Sequence, residues 1–366
     1  MLLLLIILIS TNAQQAPRTI NIGDSAPQLR ISEWIKGKPV QKFENGKVYV
    51  LEFWATWCKP CKAAMPHLST LAREYLDKVT IIGIDIYEQK TMSTQKVKKF
   101  VDSMGNHRLD YSVAIADSNF MVTHWLDASG AKNEGIPISF VINQAGRLAW
   151  IGHPKDLAEV LEKVVNNTWN AEEAFVKRSL NKRLAELDKE ASYDLILYWS
   201  DSFNPNFVPK PDSALLAINE IVKKEPKLKY APFVAYNTFA SLINTNPEKA
   251  YEYGKVLMVT ATYEGPAYSS IYDVINKYSD TLQVPEKIYR LGAEAYQMEI
   301  DHIPYPEIVN TSKLYHQMAN FYWRANQKSK AVDAEQKAIE ALMNKKDFPK
   351  SDLVKFELQL QHYIVN

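Results

Sequence analysis

With 43 basic and 42 acidic side chains among 366 residues, the chain has a net charge of +1. No long basic block concentrates that charge, which excludes the electrostatic footprint of a nucleic-acid-binding surface. An apolar share of 46% at this length can fill the core of two domains, so a disulfide-stapled miniature fold is excluded and the chain's two cysteines need not serve stability.

In chain order, Leu2–Ile9 is an unbroken apolar run followed by Thr11-Asn12-Ala13, small and polar residues suited to signal-peptidase cleavage. The run is far shorter than the ~20 residues of a membrane span. We expect residues 1–13 to be a cleaved signal peptide and the protein to be periplasmic or otherwise exported. The missing basic residue ahead of the run leaves an uncleaved anchor as the alternative.

Lys47–Trp54, KVYVLEFW, is β-branched and aromatic, bounded upstream by Asn45-Gly46, and reads as a strand. Lys59–Tyr75 has Ala, Leu and Met at helical spacing, so Cys58 and Cys61 fall at a strand-to-helix turn. Val79–Tyr87 reads as a second strand, Gln95–Ser103 as a polar amphipathic helix, Val113–Ala116 as a short strand and Asn119–Leu126 as a short helix. Gly135–His153 holds two strands around a turn at Gln144–Gly146, and Asp156–Val165 closes the unit as a helix. Strands interleaved with helices predict an α/β domain with a mixed sheet flanked by helices over residues 18–166. From 170 to 366 the composition turns to Ala, Lys, Glu, Tyr and Leu with little glycine, which predicts an all-α domain. Ala319, Tyr322, Ala331 and Ala338 fit the small and aromatic positions of a tetratricopeptide-like helix pair, and Asn244–Met258 resembles a degenerate second copy. Too few copies recur to separate a repeat array from an irregular helical domain.

A cysteine at a helix start faces unpaired backbone N–H groups and the positive end of the helix dipole, and both favour thiolate. A free thiol has a pKa of about 8.5, and lowering it to about 7 ionises half of it at neutral pH. Cys58 is therefore the expected nucleophile. Cys61, one turn inward, is expected to resolve the mixed disulfide. Lys59 adds a cation beside Cys58, and Pro60 suits a first-turn position because its missing N–H costs nothing there. A zinc site lacks ligands, since His67 lies deep in the following helix. Covalent haem attachment needs a histidine where Lys62 stands. No metal or cofactor is expected.

FWATWCKPC, Phe53–Cys61, together with GIPISFVINQAGRLAWIGH, Gly135–His153, resembles the TlpA/ResA-like branch of the thioredoxin superfamily, exported thiol-disulfide oxidoreductases, over residues 20–166. The resemblance implies a sheet flanked by helices, a dithiol that opens a helix, and a cis Pro137 opposite the sulfurs. With that geometry an extended substrate could pair with the backbone of Ile136. It implies protein disulfides as substrates, a membrane thiol donor, and reduction as the favoured direction. Glu52 stands where thioredoxins carry a buried acid beneath the dithiol, so it is the expected proton acceptor for Cys61; a half-buried strand glutamate reaching solvent is the other reading. The acid that some ResA-like proteins carry one turn beyond the second cysteine is Ala64 here. Trp57 is expected to shield the disulfide and to offer partners an apolar contact. Two other functions stay open. A peroxiredoxin-like peroxidase is disfavoured by Ala55, where its threonine would stand, and a scaffold would dock a protein client on the helical domain.

Overall fold

The computed structural model describes residues 19–366 apart from 90–91, 201–203, 205, 264, 304–308 and 346–347. The expected signal peptide, residues 1–13, lies outside the described residues. Two compact units divide between Phe175 and Val176.

The first unit is built on a six-stranded sheet in the order β1-β4-β3-β2-β5-β6, with β1 Ile31–Lys36, β2 Val48–Trp54, β3 Val79–Asp85, β4 Ser112–Ala116, β5 Ile138–Ile142 and β6 Leu148–Gly152. β2, β3 and β4 run parallel, while β1, β5 and β6 join antiparallel. The sheet is mixed, as expected. Helices α1 Lys59–Glu74, α2 Thr94–Arg108, α3 Ser118–Met121 and α4 Leu157–Val165 accompany it. Every side chain of β2 is buried, as befits a central strand covered on both faces.

Strand alternation sends Tyr49, Leu51 and Phe53 to one face, where they pack with Ile82, Ile84, Phe140 and Trp125. Phe140 anchors this layer, meeting Phe53 edge-on at 5.4 Å and Trp125 at 5.5 Å. The opposite face takes Glu52 and Trp54. Trp54 lies 5.7 Å from Phe100 of α2, and the Lys62 ammonium of α1 sits over the same Phe100 ring. Glu52 therefore faces the helical layer whose first helix carries the cysteines.

Three details depart from the sequence expectation. β1 went unread, because ISEWIK mixes charged and apolar residues, and its pairing with β4 shifts register twice at the sheet edge. The strand read as Val79–Tyr87 stops at Asp85, and Tyr87 turns to a left-handed φ of 56°. The helix expected over Asn119–Leu126 divides into α3 and a π-helical segment, Val122–Asp127.

The second unit is helical throughout its described elements: α5 Ala171–Ile196, which begins before the division, then α6 Pro211–Lys224, α7 Pro232–Thr245, α8 Pro247–Val259, α9 Ser269–Tyr278, α10 Glu286–Asp301, α11 Ser312–Arg324, α12 Lys328–Met343 and α13 Lys350–Val365. α11 packs on α12. Ala319, Ala331 and Ala338 are fully buried and Tyr322 nearly so; these small side chains let the helices approach closely. Glycine does the same for α10. A Cβ on Gly292 would stand 2.7 Å from the Phe321 ring and 2.6 Å from Ile275.

Candidate active site

β2 feeds directly into the turn Ala55–Cys58, closed by the Cys58 N–H donating to the Ala55 carbonyl at 3.1 Å. Cys58 is the N-cap of α1, with extended backbone, and its sulfur accepts the Cys61 N–H at 3.1 Å. One otherwise orphaned helix donor is thereby spent on sulfur, an arrangement that favours negative charge there. Pro60 lies in the first turn, where it removes no intrahelical bond. Cys58 and Cys61 are joined as a disulfide. Cys61 is fully buried and Cys58 is 3% exposed, with Trp57, Lys59 and Pro60 exposed around them.

Across from α1, the Ile136–Pro137 peptide is cis. Cys58 Sγ lies 3.7 Å from the Ile136 carbonyl oxygen. Pro137 is buried and Ile136 half-buried, so the backbone that meets the sulfur is the edge entering β5. Two segments far apart in sequence thus converge on one sulfur, with Trp57 49% exposed beside it.

On the strand that leads into the cysteine turn, Glu52 is fully buried, and neither carboxyl oxygen has a hydrogen-bond partner among the described residues. Its register neighbours are Gly83 on β3 and Ser139 on β5, both small. The solvent-reaching reading of Glu52 is excluded. Burial alone pushes its carboxyl up to about 8, since an ion here would have neither water nor a cation nearby.

A second acid went unread in the sequence. Asp85 ends β3 in register with Trp54 and is buried. Burial first, then the charge and hydrogen bond of Glu88, push its carboxyl up to about 9. Glu88 in turn accepts from the Thr56 N–H at 2.5 Å and from the Thr56 hydroxyl at 2.9 Å. The Trp57 indole N–H donates to the Tyr87 carbonyl at 2.9 Å. An acid closing an otherwise apolar strand, IIGID, was the signal available in sequence.

The Redoxin family matches residues 21–167. Protein FixW of Rhizobium leguminosarum is 30% identical, over 42% of this chain and 70% of its own length. The thiol-disulfide oxidoreductase ResA of Bacillus anthracis is 33% identical, over 35% of this chain and 68% of its own. The solution structure of an uncharacterized thioredoxin-like protein from Porphyromonas gingivalis aligns at 26% identity over 41% of this chain and 93% of that one, with a TM-score of 0.29.

Proposed function

Because the chain belongs to the thioredoxin superfamily as a TlpA/ResA-like redox protein, we propose that it works outside the cytoplasm as a protein-disulfide reductase through Cys58 and Cys61. Its modules are residues 18–166 for the chemistry and 170–366 for an accessory helical domain. The reduced chain starts the cycle. The Cys58 thiolate attacks one sulfur of a substrate disulfide, forming a mixed disulfide and releasing one substrate thiolate. Cys61 then loses its proton to Glu52 in the minority of molecules whose carboxyl, pushed up to about 8, is ionised at neutral pH, and attacks Cys58 Sγ, which releases the second substrate thiolate and leaves the Cys58–Cys61 disulfide. Two electrons have passed to the substrate, and a membrane thiol donor returns them.

Each remaining residue has a place in this cycle. Trp57 and the Ile136 backbone flank Cys58, so an extended substrate segment pairs with Ile136 while Trp57 covers its apolar side. Pro137 presents no N–H at that edge. Lys59 and Pro60 form the exposed rim of the first turn, within reach of a bound partner.

The observation that supports the reading best is the Cys61 N–H donated to Cys58 Sγ at the start of α1, since it favours thiolate on the more accessible sulfur. Cys61→Ser is the test: the variant should accumulate a covalent adduct with a protein disulfide such as insulin, whereas Cys58→Ser should form none. Equal trapping by both variants would overturn the assignment of nucleophile. Equilibration of the couple against a glutathione series decides direction, a value near thioredoxin's, about −270 mV, supporting a reductase and one near DsbA's, about −120 mV, an oxidase.

A further inference from the structure

Cys58 is delivered by a four-residue turn, Ala55–Cys58, whose two central residues are both held by one neighbouring segment. Glu88 takes the backbone N–H and the hydroxyl of Thr56, so one carboxylate occupies both donors of that residue. The Tyr87 carbonyl takes the Trp57 indole. Tyr87 reaches this position with a φ of 56°, a conformation that costs a bulky residue energy and persists only where surrounding contacts enforce it. Asp85, three residues before Glu88, ends β3 and is buried.

We propose that Glu88 is a positioning residue for the dithiol: it clamps Thr56 so that Cys58 sits where the Cys61 N–H can reach its sulfur. The clamp rests on the preceding assignment of Cys58 as nucleophile. It adds that the site's geometry is set from the end of β3 and the residues that follow it, outside the Cys-x-x-Cys motif.

The charge on Glu88 by itself would disfavour a nearby thiolate, whereas its grip on the turn favours one by fixing the capping geometry. Removing the charge and removing the grip therefore have opposite signs. This allows a decisive experiment in the full-length chain on a Cys61→Ser background, where Cys58 is the single thiol, read as the pH dependence of alkylation by iodoacetamide. Thr56→Val keeps the Glu88 charge and deletes the hydroxyl bond; alkylation at pH 7 should slow about 2-fold or more, the fall in thiolate fraction when a pKa near 7 rises by half a unit. Thr56→Ser should recover most of that loss. Glu88→Gln should also slow the reaction, although it removes a negative charge.

Unchanged alkylation in Thr56→Val and Glu88→Gln, whatever happens to their melting temperatures, would overturn the clamp, as would acceleration by Glu88→Gln. A parent thiol that titrates like free cysteine would instead sink the assignment of Cys58 itself. The two failures are distinguishable in one data set.

Discussion

Glu52 lies in a strand of apolar neighbours with its carboxyl oxygens unpartnered, and such a group titrates late. Unfolded, it loses its proton near the ordinary 4.5; folded, it holds the proton up to about 8. Between those values the folded chain binds more protons than the unfolded one, so stability falls as pH rises through this window. Asp85, raised from 3.8 to about 9, acts with the same sign. Glu52→Gln should therefore gain stability relative to the parent as pH rises from 5 to 8, reaching about 2–4 kcal/mol, in urea unfolding of the oxidised protein. A stability difference independent of pH would contradict the assigned burial. The same substitution should slow release of the mixed disulfide if Glu52 takes the Cys61 proton as proposed, and an unchanged release rate would remove Glu52 from the cycle. Glu52 was legible in sequence because an acid on the strand entering a Cys-x-x-Cys turn matches a family pattern. Its burial was not legible, since alternation alone cannot say whether both faces of a strand are covered. Glu88 escaped notice because its partner, Thr56, lies on another strand's exit, and that proximity follows from parallel pairing of β2 with β3.

Elements were legible where periodicity is strong. β2, β3, β5 and β6 are long apolar runs, and α1 and α4 carry regular apolar stripes. β1 is an edge strand, and edge strands carry charge to discourage pairing with other chains, which erases the alternation that would reveal them. α2 was read as ending near Ser103, and its geometry supplies the reason: Gly105 takes a φ of 65° and interrupts the helix before its end. In the helical unit the element-scale constraint is close approach. Gly292→Ala places a methyl group within 2.7 Å of Phe321 on α11, and a buried ring there cannot retreat cheaply. We expect a loss of about 1–3 kcal/mol in chemical denaturation, against the gain of nearly 1 kcal/mol that Gly→Ala brings to an unhindered helix interior. A neutral or stabilising result would show that α10 and α11 can separate without cost.

Taken whole, the chain divides its apolar side chains between separate cores. One cluster joins Ile22, Leu51, Phe53, Trp125 and Phe140 in the first unit, while Phe239, Ile271, Ile288 and Phe321 belong to another in the second. Calorimetry of the full chain should accordingly resolve two transitions, and dithiothreitol should move one and leave the other in place, because the disulfide lies in the first unit alone. A single transition that shifts as a block would show the cores to be energetically one. The tetratricopeptide-like reading of α11 and α12 belongs to this scale too. A client held on the helical unit would make deletion of residues 170–366 abolish client binding while sparing insulin reduction.

The sequence holds two cysteines and spends both on one turn of helix. Such a molecule has no wrong internal partner for either sulfur, so its maturation requires no shuffling of misjoined bridges. Every mass increment a thiol reagent adds also has the same address, which lets intact-protein mass spectrometry count redox occupancy directly in a crude extract.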